Sequence, residues 1–291
     1  MHGKSSNKLY NINKNKGLNR PAAPQQACYN IQKEKKDEHE MRCYISELIE
    51  EKKLRQIIKG SGLGVELISF SISDNLDRFE DTMERMQNML ELMGHPPVTI
   101  HGPFLDLNPA AFDSGIRKIT EKRFAQAFEA ARILSADKVI YHSGMVPTVY
   151  FLEGWAAREA DFWKEFLWNR SGITVCLENV LDREIEPFAE IFDRVGHPDL
   201  GLCLDLGHAH CYSNHSAAEW AGVLKPYIRH VHFHDNHGVK DEHLALGEGS
   251  VPWKEVLGIL ADAQPDLTCT IECSSEESIR RSLRALENFI R

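Results

Sequence analysis

The chain has 291 residues, of which 42% are hydrophobic and 26% are charged, and its net charge is −9. No apolar run approaches the roughly 20 residues that cross a bilayer, and no charged-then-apolar signal segment opens the chain, so we expect a cytoplasmic protein without a membrane partner. Residues 1–40 carry eight Lys or Arg and four Asp or Glu, a net of +4, which leaves −9 − 4 = −13 for the remainder and disfavours a broad nucleic-acid surface.

The first forty residues differ in composition from everything that follows. They are rich in Asn, Lys, Gln and Pro, contain few large apolar residues, and end in a charge run over residues 33–40. Such a segment cannot bury enough apolar surface to offset its chain entropy. The sequence therefore predicts a disordered N-terminal extension over residues 1–40 and a folded domain over residues 41–291.

From residue 41 onward, short β-rich runs alternate with amphipathic helical patterns. The predicted strands are Arg42–Ser46, Gly64–Ile68, Val98–His101, Lys138–His142, Ile173–Glu178, Gly201–Asp205, Ile228–His234 and Leu267–Glu272. The predicted helices include Leu76–Met93, Ile116–Ser135, Trp155–Trp168, Ala217–Leu224 and Glu277–Ile290. Eight alternating units predict an α/β fold with a parallel sheet closed into a (β/α)₈ TIM barrel. A doubly wound open sheet is the alternative.

Six consecutive predicted strands, the third to the eighth, end in His, Asp or Glu. Their metal-ligand type residues are His101, His142, Glu178, Asp205, His232 and Glu272. Active sites of α/β barrels lie at the C-terminal face of the strands. These side chains are therefore expected to meet at one mouth of the barrel.

Alternation along the strands directs these polar side chains inward. In the eighth strand, Thr268, Thr270 and Glu272 share one face, whereas Cys269 and Ile271 share the other. Several unpaired buried charges are untenable without a shared partner, and a divalent cation supplies one. Mixed imidazole and carboxylate ligands suit Zn²⁺ or Mn²⁺ first, then Co²⁺, better than Mg²⁺ or Ca²⁺.

The loop after the seventh strand adds a second set of donors. Asp241 and His243 are two residues apart and can chelate one ion from an extended segment. Gly247 and Gly249 follow and allow sharp turns of the backbone. This loop predicts either a second metal site or a substrate hydrogen-bonding loop.

The seven cysteines do not form a disulfide framework by their spacing. None makes a close CxxC pair, and five lie in or beside apolar strand-like runs. We therefore expect free thiols.

With these motifs in place, residues 41–291 resemble the xylose isomerase-like barrels, a superfamily that joins sugar and sugar-phosphate isomerases and epimerases with DNA-repair enzymes of the endonuclease IV type. The motifs that carry the resemblance are His101-Gly-Pro-Phe104, His142-Ser-Gly144, Leu177-Glu178-Asn179, Asp205-Leu-Gly-His208, His232-Phe-His-Asp235, Asp241-Glu-His243, Gly247-Glu-Gly249 and Ile271-Glu272.

The resemblance implies two alternative sets of roles. The epimerase pattern implies that Glu178, Asp205, His232 and Glu272 bind one catalytic ion, that both glutamates form the acid/base pair, and that His208 contacts the substrate. The endonuclease pattern implies up to three zinc ions on nine ligands. These are His101, His142, Glu178, Asp205, His208, His232, Asp241, His243 and Glu272. Since epimerases of this type often form dimers, a homodimer is also a candidate assembly.

The chain departs from the endonuclease pattern in the loop after the second strand. That family has a basic loop there, whereas this chain has Asp74 and Asp77 and no Lys or Arg before Arg78. Phe104 stands where a stacking Tyr is common, and Lys240 and Glu242 stand where epimerases often have an Arg.

The sequence therefore predicts a metal-dependent isomerase or epimerase of a small sugar, sugar phosphate or polyol that works by proton transfer through an enediolate. Loop eight, residues 273–277, offers no glycine-rich cradle for a phosphate. Phosphodiester hydrolysis of abasic DNA is the alternative, followed by a polyol lyase and a non-catalytic carbohydrate- or metal-binding protein.

Overall fold

A computed structural model describes residues 41–290 except 262, 264 and 265, without the side chains of residues 288–290. Eight parallel strands form a closed barrel in sequence order, and β8 pairs with β1. The strands are β1 Arg42–Ser46, β2 Gly64–Leu67, β3 Val98–His101, β4 Lys138–His142, β5 Thr174–Glu178, β6 Leu200–Asp205, β7 Ile228–Phe233 and β8 Thr268–Ile271. The predicted TIM barrel is confirmed, whereas the predicted N-terminal extension, residues 1–40, lies outside the described residues.

Helices surround the barrel and connect its strands. Over the described residues they are α1 Glu51–Ile58, α2 Ser73–Asp77, α3 Phe79–Met93, α4 Ser114–Leu134, α5 Trp155–Leu167, α6 Glu186–Val195, α7 Leu206–Tyr212, α8 Ala217–Leu224, α9 Trp253–Leu260 and α10 Glu276–Ile290. None of these helices has the length and apolar character that a membrane span requires.

The prediction of one helix over Leu76–Met93 was wrong. The backbone leaves the helical region at Arg78, with φ −108° and ψ 51°, so α2 ends at Asp77 and α3 starts at Phe79. The prediction of one helix per strand was also wrong after β6, where α7 precedes α8. The Asp205 side chain caps α7 by accepting a hydrogen bond from the His208 N–H at 2.7 Å.

The predicted division between inward and outward strand faces is confirmed. Inside the barrel, Ile140, Cys176 and Cys203 pack on one another. On the outer face, Tyr141 belongs to the main hydrophobic core between barrel and helices, and its hydroxyl donates to the Phe124 carbonyl at 2.7 Å. The six cysteines of the described region are free, as predicted.

A fully buried carboxyl group lies in α5 on the helix side of the barrel. Glu159 is 0% exposed, and its Oε1 accepts a hydrogen bond from Trp163 Nε1 at 2.9 Å, whereas Oε2 has no hydrogen-bond partner. Burial raises the pKa of Glu159 well above its usual value of 4.5, against the smaller effect of the Trp163 N–H. Burial therefore favours the protonated form of Glu159 in the folded protein.

Replacement of Glu159 with Gln is expected to flatten the pH dependence of stability. A raised folded-state pKa gives stability that is full below the unfolded pKa and is lost as pH rises toward the folded pKa. One such proton changes the free energy of unfolding by about 1.4 kcal/mol per pH unit at most. Urea unfolding at a series of pH values upward from 4.5 should show the variant gaining on the wild type as pH rises. Exposed Glu165 on the same helix supplies the control, Glu165→Gln, and parallel curves for Glu159→Gln would contradict the prediction.

Candidate metal centre and substrate cleft

The nine predicted site residues lie at the C-terminal mouth of the barrel. They are His101, His142, Glu178 and Asp205, which end β3 to β6, His232 in β7, His208 in α7, Asp241 and His243 in the loop after β7, and Glu272 directly after β8. Six of them are buried, and His142, Asp241 and His243 are partly buried. Parallel strands present their C-terminal ends at one rim, which explains why residues far apart in sequence meet here.

The first cluster surrounds Glu178. The Nε2 atoms of His101 and His142 lie 3.4 Å from Glu178 Oε2 and 3.3 Å from each other. Glu178 Oε2 is buried and has no hydrogen-bond partner. Three ligand-type atoms, from the ends of β3, β4 and β5, thus lie within 3.4 Å of one another.

The second cluster surrounds Asp241. His208 Nε2 lies 3.4 Å and His243 Nε2 3.0 Å from Asp241 Oδ2. His208 Nδ1 also lies 3.5 Å from Asp205 Oδ1 and 3.4 Å from Glu178 Oε1. His208 therefore joins the second cluster to the first.

His232 lies between the clusters and three carboxylates. Its Nδ1 is 3.2 Å from Glu178 Oε1, 3.6 Å from Glu272 Oε1 and 3.7 Å from Asp205 Oδ2. The structure therefore brings all nine predicted residues into one continuous network. Glu178 at the end of β5 and Glu272 directly after β8 both lie beside His232 Nδ1.

Backbone carbonyls fix the orientation of three of the histidine rings. The Nδ1 atoms of His101, His208 and His243 lie 3.0, 3.1 and 2.7 Å from the carbonyl oxygens of Gly102, Asn179 and Glu272. A carbonyl oxygen only accepts, so the network assigns the proton to Nδ1 in each ring. Nε2 is therefore the nitrogen of each ring that would face a cation, as in metal-ligating histidines.

This donor set fits divalent cations. Besides Glu178 Oε2, the buried atoms His234 Nδ1 and Asp241 Oδ1 have no hydrogen-bond partner, and orphaned buried polar atoms are costly. Several triplets of ligand atoms, among them those of His101, His142 and Glu178, lie within 4.8 Å of one another. Carboxylates and imidazoles with oriented lone pairs are what Zn²⁺ and Mn²⁺ bind.

Burial and mutual charge separate the titration of these groups. Burial alone would raise the pKa of Glu178, but His232 and His142 hold the pKa well below its usual range. Burial and the neighbouring carboxylates raise the pKa of Glu272. Burial lowers the pKa of His142 to about 3, whereas Asp241 offsets burial and raises the pKa of His243 to about 9. A cation at His243 would therefore have to displace a proton from this ring.

The sequence prediction missed Glu66, a fully buried carboxylate in β2. Thr99 Oγ1 and Thr270 Oγ1 donate to Glu66 Oε2 at 3.0 and 2.8 Å. The other oxygen, Oε1, lies 3.3 Å from His232 Nε2. His230 extends the network, because its Nδ1 and Nε2 lie 2.6 Å from Thr268 Oγ1 and 2.9 Å from Thr270 Oγ1. Glu66 is thus held by two hydroxyls and faces the far nitrogen of a predicted ligand, the arrangement that orients metal-binding histidines.

Glu66→Gln is expected to weaken metal binding by about 10–100-fold, because the amide lacks the charge that orients and polarises His232. Competition with a chromogenic chelator measures the Kd of the ion. The matched control is Glu159→Gln, the same change at a buried glutamate in α5. An unchanged Kd in Glu66→Gln would show that this carboxylate only fills the barrel interior.

His234 follows β7 and was also given no role by the sequence prediction. Its Nε2 lies 3.1 Å from both carboxylate oxygens of Asp205, and its ring stacks on His243 with centroids 4.1 Å apart. A Cβ on Gly207 would lie 2.0 Å from His234 Cε1. Glycine at 207 therefore admits this ring, which in turn holds Asp205 and His243 in place.

A cleft of about 820 Å³ opens beside the clusters. His142, His208 and Asp241 form the side that faces the metal centre. Phe104 also lines the cleft and stacks on the His142 ring with centroids 4.2 Å apart. None of the described residues that line the cleft is a lysine or an arginine. The candidate metal centre is thus open to a small ligand from one side.

Comparison with known proteins covers the barrel from β2 to α10. The family described as xylose isomerase-like TIM barrel matches residues 61–289. An uncharacterised protein of Methanocaldococcus jannaschii is 31% identical over 215 residues, 66% of this chain and 70% of that protein. A protein of Mycobacterium leprae named "Probable endonuclease 4" is 26% identical over 186 residues, 60% of this chain and 72% of that protein. The crystal structure of a D-tagatose 3-epimerase-like protein is 26% identical, with a TM-score of 0.73, over 86% of this chain and 97% of the other.

Proposed function

The chain belongs to the xylose isomerase-like TIM-barrel family, and from that premise we propose that it is a divalent-metal-dependent isomerase or epimerase of a small sugar or polyol. The observation that carries the proposal is the pair of buried carboxylates Glu178 and Glu272, both within 3.6 Å of His232 Nδ1, at the end of β5 and directly after β8. The D-tagatose 3-epimerase-like structure at 26% identity supports this reaction class.

Glu178, Asp205, His232 and Glu272 would hold the catalytic ion, and His101, His142, His208, Asp241 and His243 would hold one or two further ions. When bound, a divalent cation polarises two adjacent substrate oxygens and makes the neighbouring C–H bond more acidic.

The two glutamates supply the proton transfer. One carboxylate removes a proton from the carbon beside the carbonyl, which leaves an enediolate, and a carboxylate returns a proton to that carbon or its neighbour. Return from the opposite face of the same carbon gives the epimer, whereas return to the adjacent carbon gives the isomer. His208, which lines the cleft, would contact a substrate oxygen there.

Phosphodiester hydrolysis on abasic DNA is the second candidate. The nine-ligand set and the 26% identity to the mycobacterial protein favour it. Duplex affinity, however, rests on several Lys or Arg contacts to phosphates, and the described cleft lining offers none. After β2, Asp77 at the end of α2 pairs with Arg123 of α4 at 2.7 Å, so this arginine is already engaged. The acidic cleft supports a small neutral substrate over DNA.

The test compares both activities on one preparation. The protein loaded with Zn²⁺ or Mn²⁺ is assayed against a panel of ketoses and polyols, with solvent-deuterium incorporation as the readout, and against a duplex that contains one abasic site at low salt. We expect exchange of a carbon-bound proton in at least one sugar. Multiple-turnover incision of the duplex that Glu272→Gln abolishes, without exchange in any sugar, would overturn the proposal in favour of the nuclease.

A further inference from the structure

The wall of the cleft away from the metal centre is apolar. It is built by the loop after β3, residues 102–113, and the loop after β4, residues 143–154. Leu105, Phe112 and Val146 line the cleft and are 66%, 69% and 38% exposed. Large apolar side chains grouped around a cleft indicate a surface that a ligand covers.

Packing behind this wall holds it in place. Met145 lines the cleft and forms a small hydrophobic cluster with Ala110 and Trp155, against which Tyr150 packs. The Tyr150 and Trp155 rings lie with centroids 5.4 Å apart. This cluster joins the two loops, so the apolar wall is formed before a ligand arrives.

The charges around the cleft disfavour an anionic substituent. Asp106, Asp113 and Asp241 are its charged lining residues, and no Lys or Arg occurs among the described ones. One positive charge lies beside the wall, because the Arg158 guanidinium is 4.1 Å from the centroid of the Phe112 ring and its Nε donates to the Ala110 carbonyl at 3.1 Å. The N-terminus of α4, which would otherwise attract a phosphate, is capped by Asp113, whose Oδ1 accepts hydrogen bonds from the Gly115 and Ile116 N–H groups at 2.6 and 3.3 Å. The cleft thus combines an apolar wall with negative charge.

We propose that the substrate carries a neutral apolar group, an aryl or branched alkyl substituent, that lies against Leu105, Phe112 and Val146 while its vicinal oxygens face the metal centre. The proposal rests on the proposed function and narrows its substrate class from free or phosphorylated sugars to neutral, apolar-substituted polyols or keto sugars. The polar end would lie beside His142, His208 and Asp241, at the opposite side of the same cleft.

Hydroxamates allow the contributions of the two ends of such a ligand to be measured separately. Their two oxygens chelate a metal, and the substituent at the other end can be varied. On the zinc-loaded protein, calorimetry is expected to show benzohydroxamate binding at least about tenfold more tightly than acetohydroxamate, which corresponds to about 1.4 kcal/mol. 4-Carboxybenzohydroxamate should lose that gain because of the acidic lining. Leu105→Asp and Phe112→Asp should each remove most of the gain and leave acetohydroxamate affinity unchanged.

Phe151→Asp is the matched control. Phe151 lies in the loop after β4 that also carries Val146, is 76% exposed and does not line the cleft. The proposal would be overturned if benzohydroxamate and acetohydroxamate bound equally tightly, or if no hydroxamate bound. It would also be overturned if Phe151→Asp lost as much of the benzohydroxamate gain as the cleft variants, or if 4-carboxybenzohydroxamate bound as tightly as benzohydroxamate. The ketose and polyol panel judges the proposed function separately, since hydroxamate binding does not depend on turnover.

Discussion

Glutamine in place of Glu178 or Glu272 is expected to lower kcat by about 10²–10⁴-fold, the range that general acid–base catalysis contributes. Each carboxylate is buried beside His232. Glutamine keeps the shape and an oxygen that can face a metal, but it cannot accept and return a proton at neutral pH. The measurement is kcat for the most active sugar of the panel, together with proton exchange into that sugar.

Metal content distinguishes a lost base from a lost ligand. Each variant is analysed for bound ions, and the comparison is made at saturating metal. Glu184→Gln is the control, because Glu184 lies in the loop after β5 and is bound by Asn214 and His215 outside the cleft. Near-native kcat in either Glu178→Gln or Glu272→Gln at full metal content would remove that residue from the acid/base pair.

The sequence predicted the barrel because its periodicities are local and strong. In β4, Ile140 and His142 alternate with Val139 and Tyr141, and the structure places these pairs on opposite faces. The C-terminal ends of parallel strands must share a rim, so the convergence of the His, Asp and Glu endings followed from topology alone.

Glu66 escaped prediction because it lies inside its strand rather than at the end. The cue was present, since a carboxylate within the run Gly64-Val-Glu66-Leu67 has no place on a buried strand without partners. Those partners, Thr99, Thr270 and His232, come from three other strands. A single sequence does not reveal such cross-barrel contacts.

The spacing of Asp205 and His208 is compatible with two different roles. It is that of a ligand pair and also that of an N-cap with the third residue of a helix. The structure realises the helix, since Asp205 caps α7, while its other contacts lie with His232 and His234. The sequence prediction recognised the ligand pattern and overlooked the helix.

The sequence did not predict the cleft either. The two long loops after β3 and β4 that form it have no hydrophobic periodicity.

If the proposed metal centre is correct, removal of the metal is expected to abolish turnover and to lower Tm. Dialysis against a strong chelator should leave Glu178, Asp205, Asp241 and Glu272 to repel one another in the mouth of the barrel, offset only by protonated histidines. An ion present at a thousand times its Kd stabilises by about 4 kcal/mol. Each kcal/mol shifts Tm by about 2–4 °C in a domain of this size. Calorimetry should therefore show Tm falling by at least about 8 °C, with recovery when Zn²⁺ or Mn²⁺ is restored.

The second part of this prediction concerns the number of metal ions bound per chain. A single epimerase-type site needs only Glu178, Asp205, His232 and Glu272. The histidines of the first and second clusters, among them His101 and His243, would hold further ions. Elemental analysis of the restored protein should return more than one ion per chain, and His101→Ala and His243→Ala should each lower the number. Zn²⁺ or Mn²⁺ should restore turnover better than Ca²⁺, because imidazole ligands suit them. One ion that persists in both variants would contradict the larger centre, and a Tm indifferent to chelation would contradict any structural metal at this mouth.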